Sequence, residues 1–210
     1  MKNIVIVGSS GFAKEVKWLI DRENQASEKW RFLGFIDKES VNKEIIGDDN
    51  FILDYEQELN VAIAIANPNI RKKLVEKYKA NSNVKFPNLI DPSVIISDSI
   101  NIGEGNIICA NNILTIGIKI GDFNIINLSC TVGHETQIKN FVTINPGVNI
   151  SGNVCLDNGV NVGTGTKIIQ GKIIGENSVI GAGAVVIKDI GPNCTAVGVP
   201  TKVIKENKGQ

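Results

Sequence analysis

Val94-Ile95-Ile96-Ser97-Asp98-Ser99-Ile100-Asn101-Ile102-Gly103 opens the stretch, residues 94–186, whose reading decides the fold. Counting in sixes from Ile96 gives Ile102, Ile108, Leu114, Ile120, Ile126, Val132, Ile138, Ile144, Ile150, Leu156, Val162, Ile168, Ile174, Ile180 and Val186, all aliphatic. A helix repeats its apolar positions every three or four residues, and a half-buried strand every second one. An unbroken period of six fits neither. It fits a coil of short strands and tight corners, with one large aliphatic pointing inward per face. Two places earlier the residues are small or β-branched, among them Cys130, Thr136, Val142, Val148, Val154, Val160, Thr166, Ser178 and Ala184, which suits a narrow interior. One place later stand Gly103, Gly121, Gly133, Gly163, Gly175 and Gly181, where we expect a corner with positive φ. A Gly-rich β-sandwich would instead need period-two strands. Each buried aliphatic contributes roughly 1.5–3 kcal/mol, so the column supplies a large gross driving force against the cost of ordering the backbone.

The composition narrows the function. The chain has 210 residues, room for one or two domains, and its 22 Lys+Arg balance 22 Asp+Glu. This balance gives no argument for a nucleic-acid or anionic-membrane partner. Aromatics make up only 5%, which disfavours base-stacking platforms. The sequence shows no membrane-length apolar run and no signal peptide, so a cytoplasmic protein is expected. Cys109, Cys130, Cys155 and Cys194 lack metal-site spacing and read as reduced core or turn residues. With one histidine, a usual zinc site is not expected.

Ahead of the repeat, residues 3–7 read as an apolar strand, followed by Gly8-Ser9-Ser10-Gly11 and a helical pattern through Val16, Leu19 and Ile20. Strand, glycine turn and helix open a βαβ unit whose helix N-terminus can hold a phosphate, although the full G-x-G-x-x-G fingerprint is absent. A second strand, 32–36, ends at Asp37-Lys38, the place for a ribose or base contact; a turn cap is the other reading of Asp37. A third, 61–65, ends at Ala66-Asn67-Pro68. The next helix is expected to turn Ile70, Leu74 and Tyr78 inward and to leave Arg71, Lys72, Lys73 and Lys77 on a solvated face. The expected organisation is a Rossmann-like α/β domain over 1–85, a parallel β-helix over 86–204 and a tail over 205–210. The first is too short for a complete dinucleotide fold.

His134, the single histidine, follows the Gly133 corner and precedes Glu135. Imidazole is the side chain best suited to act as a base near neutral pH, and a coil corner carries its side chains outward.

Val7-Gly8-Ser9-Ser10-Gly11, Phe35-Ile36-Asp37, Ala64-Ile65-Ala66-Asn67 with Ile70-Arg71, Asn127 through Val132-Gly133-His134-Glu135, residues 146–154 and Val197-Gly198-Val199-Pro200 occur in this order. Over residues 1–204 the chain thereby resembles the bacterial nucleotide-sugar acetyltransferases. These include sialic-acid O-acetyltransferases and N-acetyltransferases of UDP- or dTDP-linked 4-amino-4,6-dideoxy sugars, and they serve surface polysaccharide or glycan biosynthesis. The resemblance implies a left-handed coil, against the right-handed default, and a homotrimer with sites between subunits. It implies that His134 is the general base, that Glu135 orients it and that Asn127 positions the acceptor, which attacks acetyl-CoA directly. It further implies that Gly8, Ser9, Ser10, Asp37, Lys38 and Asn67 hold the nucleotide sugar, with Gly152 admitting sugar or thioester. Acetyl-CoA would run past Thr143, Thr164 and Ala182 of an adjacent subunit. Relatives often carry a second histidine where Thr143 stands, and another where Phe12 stands. A sugar O-acetyltransferase and a non-catalytic scaffold are the other readings.

Overall fold

The structure is a computed structural model that describes residues 1–38 and 43–206. Lys2–Val7 forms β1, buried from Ile4 onward because it lies at the centre of a parallel sheet. Then follow α1 (Gly11–Ala26), β2 (Trp30–Ile36), β3 (Ile45–Gly47), α2 (Asp49–Leu53), β4 (Leu59–Ile63), α3 (Pro68–Tyr78) and β5 (Val84–Lys85). The strand order is β3-β2-β1-β4-β5, all parallel. The order therefore reverses between β1 and β4, and a crevice opens beyond their carboxyl ends, the usual ligand position in such sheets. β3, α2 and β5 were not legible in the sequence.

From Leu89 onward the chain winds into the left-handed parallel β-helix, built of two-residue strands. The first face stacks Leu89–Ile90, Ile107–Ile108, Ile125–Ile126, Thr143–Ile144, Asn161–Val162 and Val179–Ile180. The second face begins at Ile95–Ile96 and includes Ile113–Leu114, Thr131–Val132 and Asn149–Ile150, and the third begins at Asn101–Ile102 and includes Gln137–Ile138 and Ile173–Ile174. The column read in sixes fills the interior, with Ile126, Ile144, Leu156, Val162, Ile174 and Ile180 at 0% exposure. Cys194–Val197 still pairs in parallel with Val179–Ile180, giving the coil a last rung, and Lys202–Glu206 caps it antiparallel. The tail expected over 205–210 lies outside the described residues from position 207.

The hexad glycines have a different cause from the one expected. None of Gly103, Gly121, Gly133, Gly163, Gly175 and Gly181 has positive φ. A Cβ at Gly133 would instead stand 2.6 Å from the backbone nitrogen of Gly152, and one at Gly175 2.5 Å from that of Pro192. Glycine is required there because the next coil passes too close. The left-handed residue comes two places later, at Gly147 and Gly165 but also at Glu135, Asn153 and Phe141.

The N-terminal domain rests on the first face. Val16, Leu19 and Ile20 of α1 and Ile4 and Ile6 of β1 share one core with Leu89, Ile107 and Ile125. Two polar clamps flank this core. Arg22 grips buried Asp91 through Nε and Nη2, at 2.5 and 3.0 Å, while Glu23 accepts from the Ile90 amide at 3.1 Å. At the other end stands Arg71. The sequence placed it on a solvated face, but α3 is rotated: Arg71, Val75 and Tyr78 are buried and Ile70 is 50% exposed.

Ile173 and Ile174 are adjacent in one strand, at 51% and 0% exposure. Ile174→Ala is expected to cost about 3 kcal/mol and Ile173→Ala less than about 1 kcal/mol, measured by chemical denaturation. Burial alone would raise the Asp91 carboxyl, but Arg22 and the Ser93 hydrogen bonds outweigh it and hold it below the usual range. Its contribution is complete above the ordinary carboxylate pKa, about 3.9, and fades as pH falls through the lowered value. Acid titration followed by tryptophan fluorescence should show this step in the wild type and not in Asp91→Asn.

Candidate active site

His134 sits on the edge between the second and third faces, in the corner that follows Thr131–Val132. Its ring lies over the backbone of the next coil. A Cβ built on Gly152 would be 2.3 Å from His134 Nε2 and 2.5 Å from Cε1, so only glycine leaves the ring its place. His134 Nδ1 faces Glu135 Oε2 at 3.2 Å. With Nδ1 as donor in that contact, Nε2 carries the free lone pair. Glu135 adopts φ +59° while its amide donates to Ile116 O at 3.0 Å, so backbone and neighbour together fix where the carboxylate starts. Ile116, one coil earlier on the same edge, is 61% exposed and gives this otherwise polar corner an apolar neighbour. His134 itself is half-exposed, open to a ligand.

The second group of candidates gathers at the carboxyl ends of β1, β2 and β4. Gly8 has φ +99°, and a Cβ there would meet Ile65 Cδ1 at 3.0 Å, so this turn needs glycine. Ser9 Oγ donates to Asp37 Oδ2 at 2.6 Å, and the Lys38 amide donates to Asp37 Oδ1 at 2.7 Å. Ser10 caps α1 in an extended conformation without a side-chain hydrogen bond, and the first turn of α1 carries no acidic residue. That end of the helix thus offers unpaired amides and positive potential to an anion. Asn67 Oδ1 caps α3, accepting from the amides of Asn69 and Ile70 at 3.0 and 3.2 Å.

Thr164 and Ala182, both exposed, stack one coil apart on the edge between the first and second faces, and Asn127 lies on that same edge. Asn127 Oδ1 accepts from the Leu128 amide at 2.7 Å. Within one chain the second face therefore separates Asn127, Thr164 and Ala182 from His134. Thr143 needs correction as a cofactor contact. It is 2% exposed, donates to Ala66 O at 2.8 Å and accepts from Arg71 Nη2 at 3.0 Å, because the N-terminal domain sits on it. Among the described residues no cluster of three His, Cys, Asp or Glu side chains can hold a metal ion.

Three comparisons bear on this arrangement. Residues 3–78 match the PglD N-terminal domain family. UDP-N-acetylbacillosamine N-acetyltransferase of Bacillus subtilis (strain 168) is 33% identical over 118 residues, 52% of this chain and 52% of that protein. The chain spans about half or less of the curated relatives it matches. Among solved structures, WeeI from Acinetobacter baumannii AYE is 32% identical with a TM-score of 0.87, covering 97% of this chain and 100% of that one. A histidine-to-asparagine mutant of perosamine N-acetyltransferase from Caulobacter crescentus, in complex with CoA and GDP-perosamine, is 27% identical with a TM-score of 0.88 over 100% of this chain and 98% of that one.

The single imidazole makes the contact with Gly152 directly observable. Gly152→Ala is expected to displace the ring and shift its one pair of carbon-bound proton resonances, while Gly191→Ala, where a Cβ meets nothing nearer than Cys194 Sγ at 3.9 Å, should leave them in place.

Proposed function

The chain belongs to the hexapeptide-repeat nucleotide-sugar acetyltransferases, and on that premise we propose that it acetylates the 4-amino group of a nucleotide-linked amino-dideoxy sugar from acetyl-CoA. The observation that carries the reading is the exposed His134 ring, held over Gly152 with Glu135 Oε2 facing Nδ1. Acetyl-CoA supplies an activated acyl group. His134 Nε2 takes the proton that the sugar amine loses as its nitrogen bonds to the acyl carbon. Glu135 stabilises the resulting imidazolium, which returns a proton as the C–S bond breaks and the thiol departs. No acyl-enzyme is needed.

Gly8, Ser9, Ser10, Asp37, Lys38 and Asn67 hold the nucleotide sugar in this reading: the α1 amides take the diphosphate and Asp37 a ribose or base hydroxyl. Thr164 and Ala182 leave room along their edge for an extended pantetheine arm, and Asn127 on that edge positions the acceptor. Since these groups and His134 occupy different edges of one chain, the complete site combines two subunits. A homotrimer supplies such a seam three times. The reaction belongs in the cytoplasm, where acetyl-CoA is available.

Thiol release should be measured with UDP-, dTDP- and GDP-linked 4-amino sugars, with sialic acid as a hydroxyl acceptor. One amino sugar is expected to be turned over, and His134→Ala to lower kcat/KM by about 10²–10⁴. Full activity in His134→Ala removes the proposed base, and turnover of sialic acid alone makes the enzyme an O-acetyltransferase. Mixing inactive His134→Ala subunits with inactive Asp37→Ala subunits should restore activity, which a site within one chain does not allow.

A further inference from the structure

Arg71 is the largest fully buried side chain, at 1% exposure. Among the described residues no carboxylate accepts a hydrogen bond from it. Its Nε donates to Phe123 O at 2.9 Å, its Nη1 to Ile65 O at 2.6 Å and Ala66 O at 3.1 Å, and its Nη2 to Phe141 O at 2.9 Å, Val142 O at 3.2 Å and Thr143 Oγ1 at 3.0 Å. Burial pulls its pKa down to about 9, which leaves the guanidinium charged at neutral pH.

A buried cation is costly, and apolar residues of similar volume often replace one without loss of stability. What a guanidinium adds is direction: five N–H groups in a rigid plane. Here that plane ties two pieces of backbone. One is the corner of the coil at Phe123 and at 141–143. The other is Ile65-Ala66, the turn between β4 and α3. This turn ends at Asn67, lies against Gly8, where a Cβ would meet Ile65 Cδ1 at 3.0 Å and Ala64 O at 3.4 Å, and borders the crevice between β1 and β4. Thr143 closes the ring by donating to Ala66 O at 2.8 Å.

We propose that Arg71 is a positioning residue for the nucleotide-sugar site, fixing the Ile65–Asn67 turn from beneath so that the crevice beyond β1 and β4 has one shape. This inference rests on the proposed function. A simple staple between the two halves is the competing account, and Arg22 provides the control for it. The Arg22–Asp91 clamp joins the same two halves at the other end of the interface, away from that turn.

The test compares Arg71→Met, Arg71→Lys and Arg22→Ala in steady-state kinetics and thermal melts. Arg71→Met is expected to raise KM for the nucleotide sugar by about tenfold or more while KM for acetyl-CoA changes less than about twofold. Arg71→Lys, which keeps the charge and three donors, should recover part of that loss. Arg22→Ala should lower the melting temperature and leave both KM values near wild type. Equal KM changes in Arg71→Met and Arg22→Ala, or no change in any variant, overturn the proposal. If Arg71→Met does not fold, Arg71→Lys carries the same comparison. If the wild type turns over none of the nucleotide sugars, the proposed function fails; calorimetric titration with UDP, dTDP and GDP then reads Arg71 alone. Weaker nucleotide binding in Arg71→Lys than in Arg22→Ala supports its role, and equal binding refutes it.

Discussion

Backbone hydrogen bonds between successive coils hold each residue over the one eighteen positions earlier, and the rest of the molecule answers to that stacking. Thr131 pairs with Ile113 below and Asn149 above, and the Gly133 amide reaches Ile150 O at 2.8 Å. Parallel strands this close, about 4.8 Å apart, leave no room for side chains where a corner turns under the next coil. Hence the glycines at 133, 163 and 175, and hence the seat of the imidazole above Gly152. The contact that shapes the candidate active site is the general packing rule of the coil, used at one corner to hold a ring.

The same stacking explains what was legible. A parallel β-helix writes its interior into the sequence at a fixed interval, so the column from Ile96 to Val186 could be read without an alignment. His134 was legible because it is the only histidine and falls beside a corner. Arg71 was not. An arginine among Lys72, Lys73 and Lys77 carries the local pattern of a solvated helix face, and its acceptors are backbone carbonyls, up to 71 positions away, and the Thr143 hydroxyl, which no local pattern announces. Thr143 failed for the same reason: a strand residue looks outward in the hexad, and only the docked domain makes outward mean buried. The glycine corners were located correctly but for the wrong cause, since period alone does not distinguish a conformational need from a steric one. β3, α2 and β5 are too short to show periodicity.

The two clamps give the joint between the halves its character. Apolar contacts between α1 and the first face are tolerant of sliding. Arg22 on Asp91 and Arg71 on a fan of carbonyls are not, because both depend on direction. The joint is thereby pinned near both ends, and the N-terminal domain keeps a fixed height against the coil.

That height has a consequence for how such a molecule can change over evolutionary time. The domain's seat, at Phe123 and 141–143, and the histidine corner fall within the same few rungs, while three further rungs of the first face, Asn161–Val162, Val179–Ile180 and Cys194–Val197, extend beyond the seat. A solenoid is a sum of near-identical layers. Duplicating or deleting a whole layer far from the seat would lengthen or shorten the prism and leave every face assignment intact. Inserting a single hexad would rotate all that follows by one face. Growth in steps of three hexads is the path along which the chain can vary in size while its chemistry stays in place.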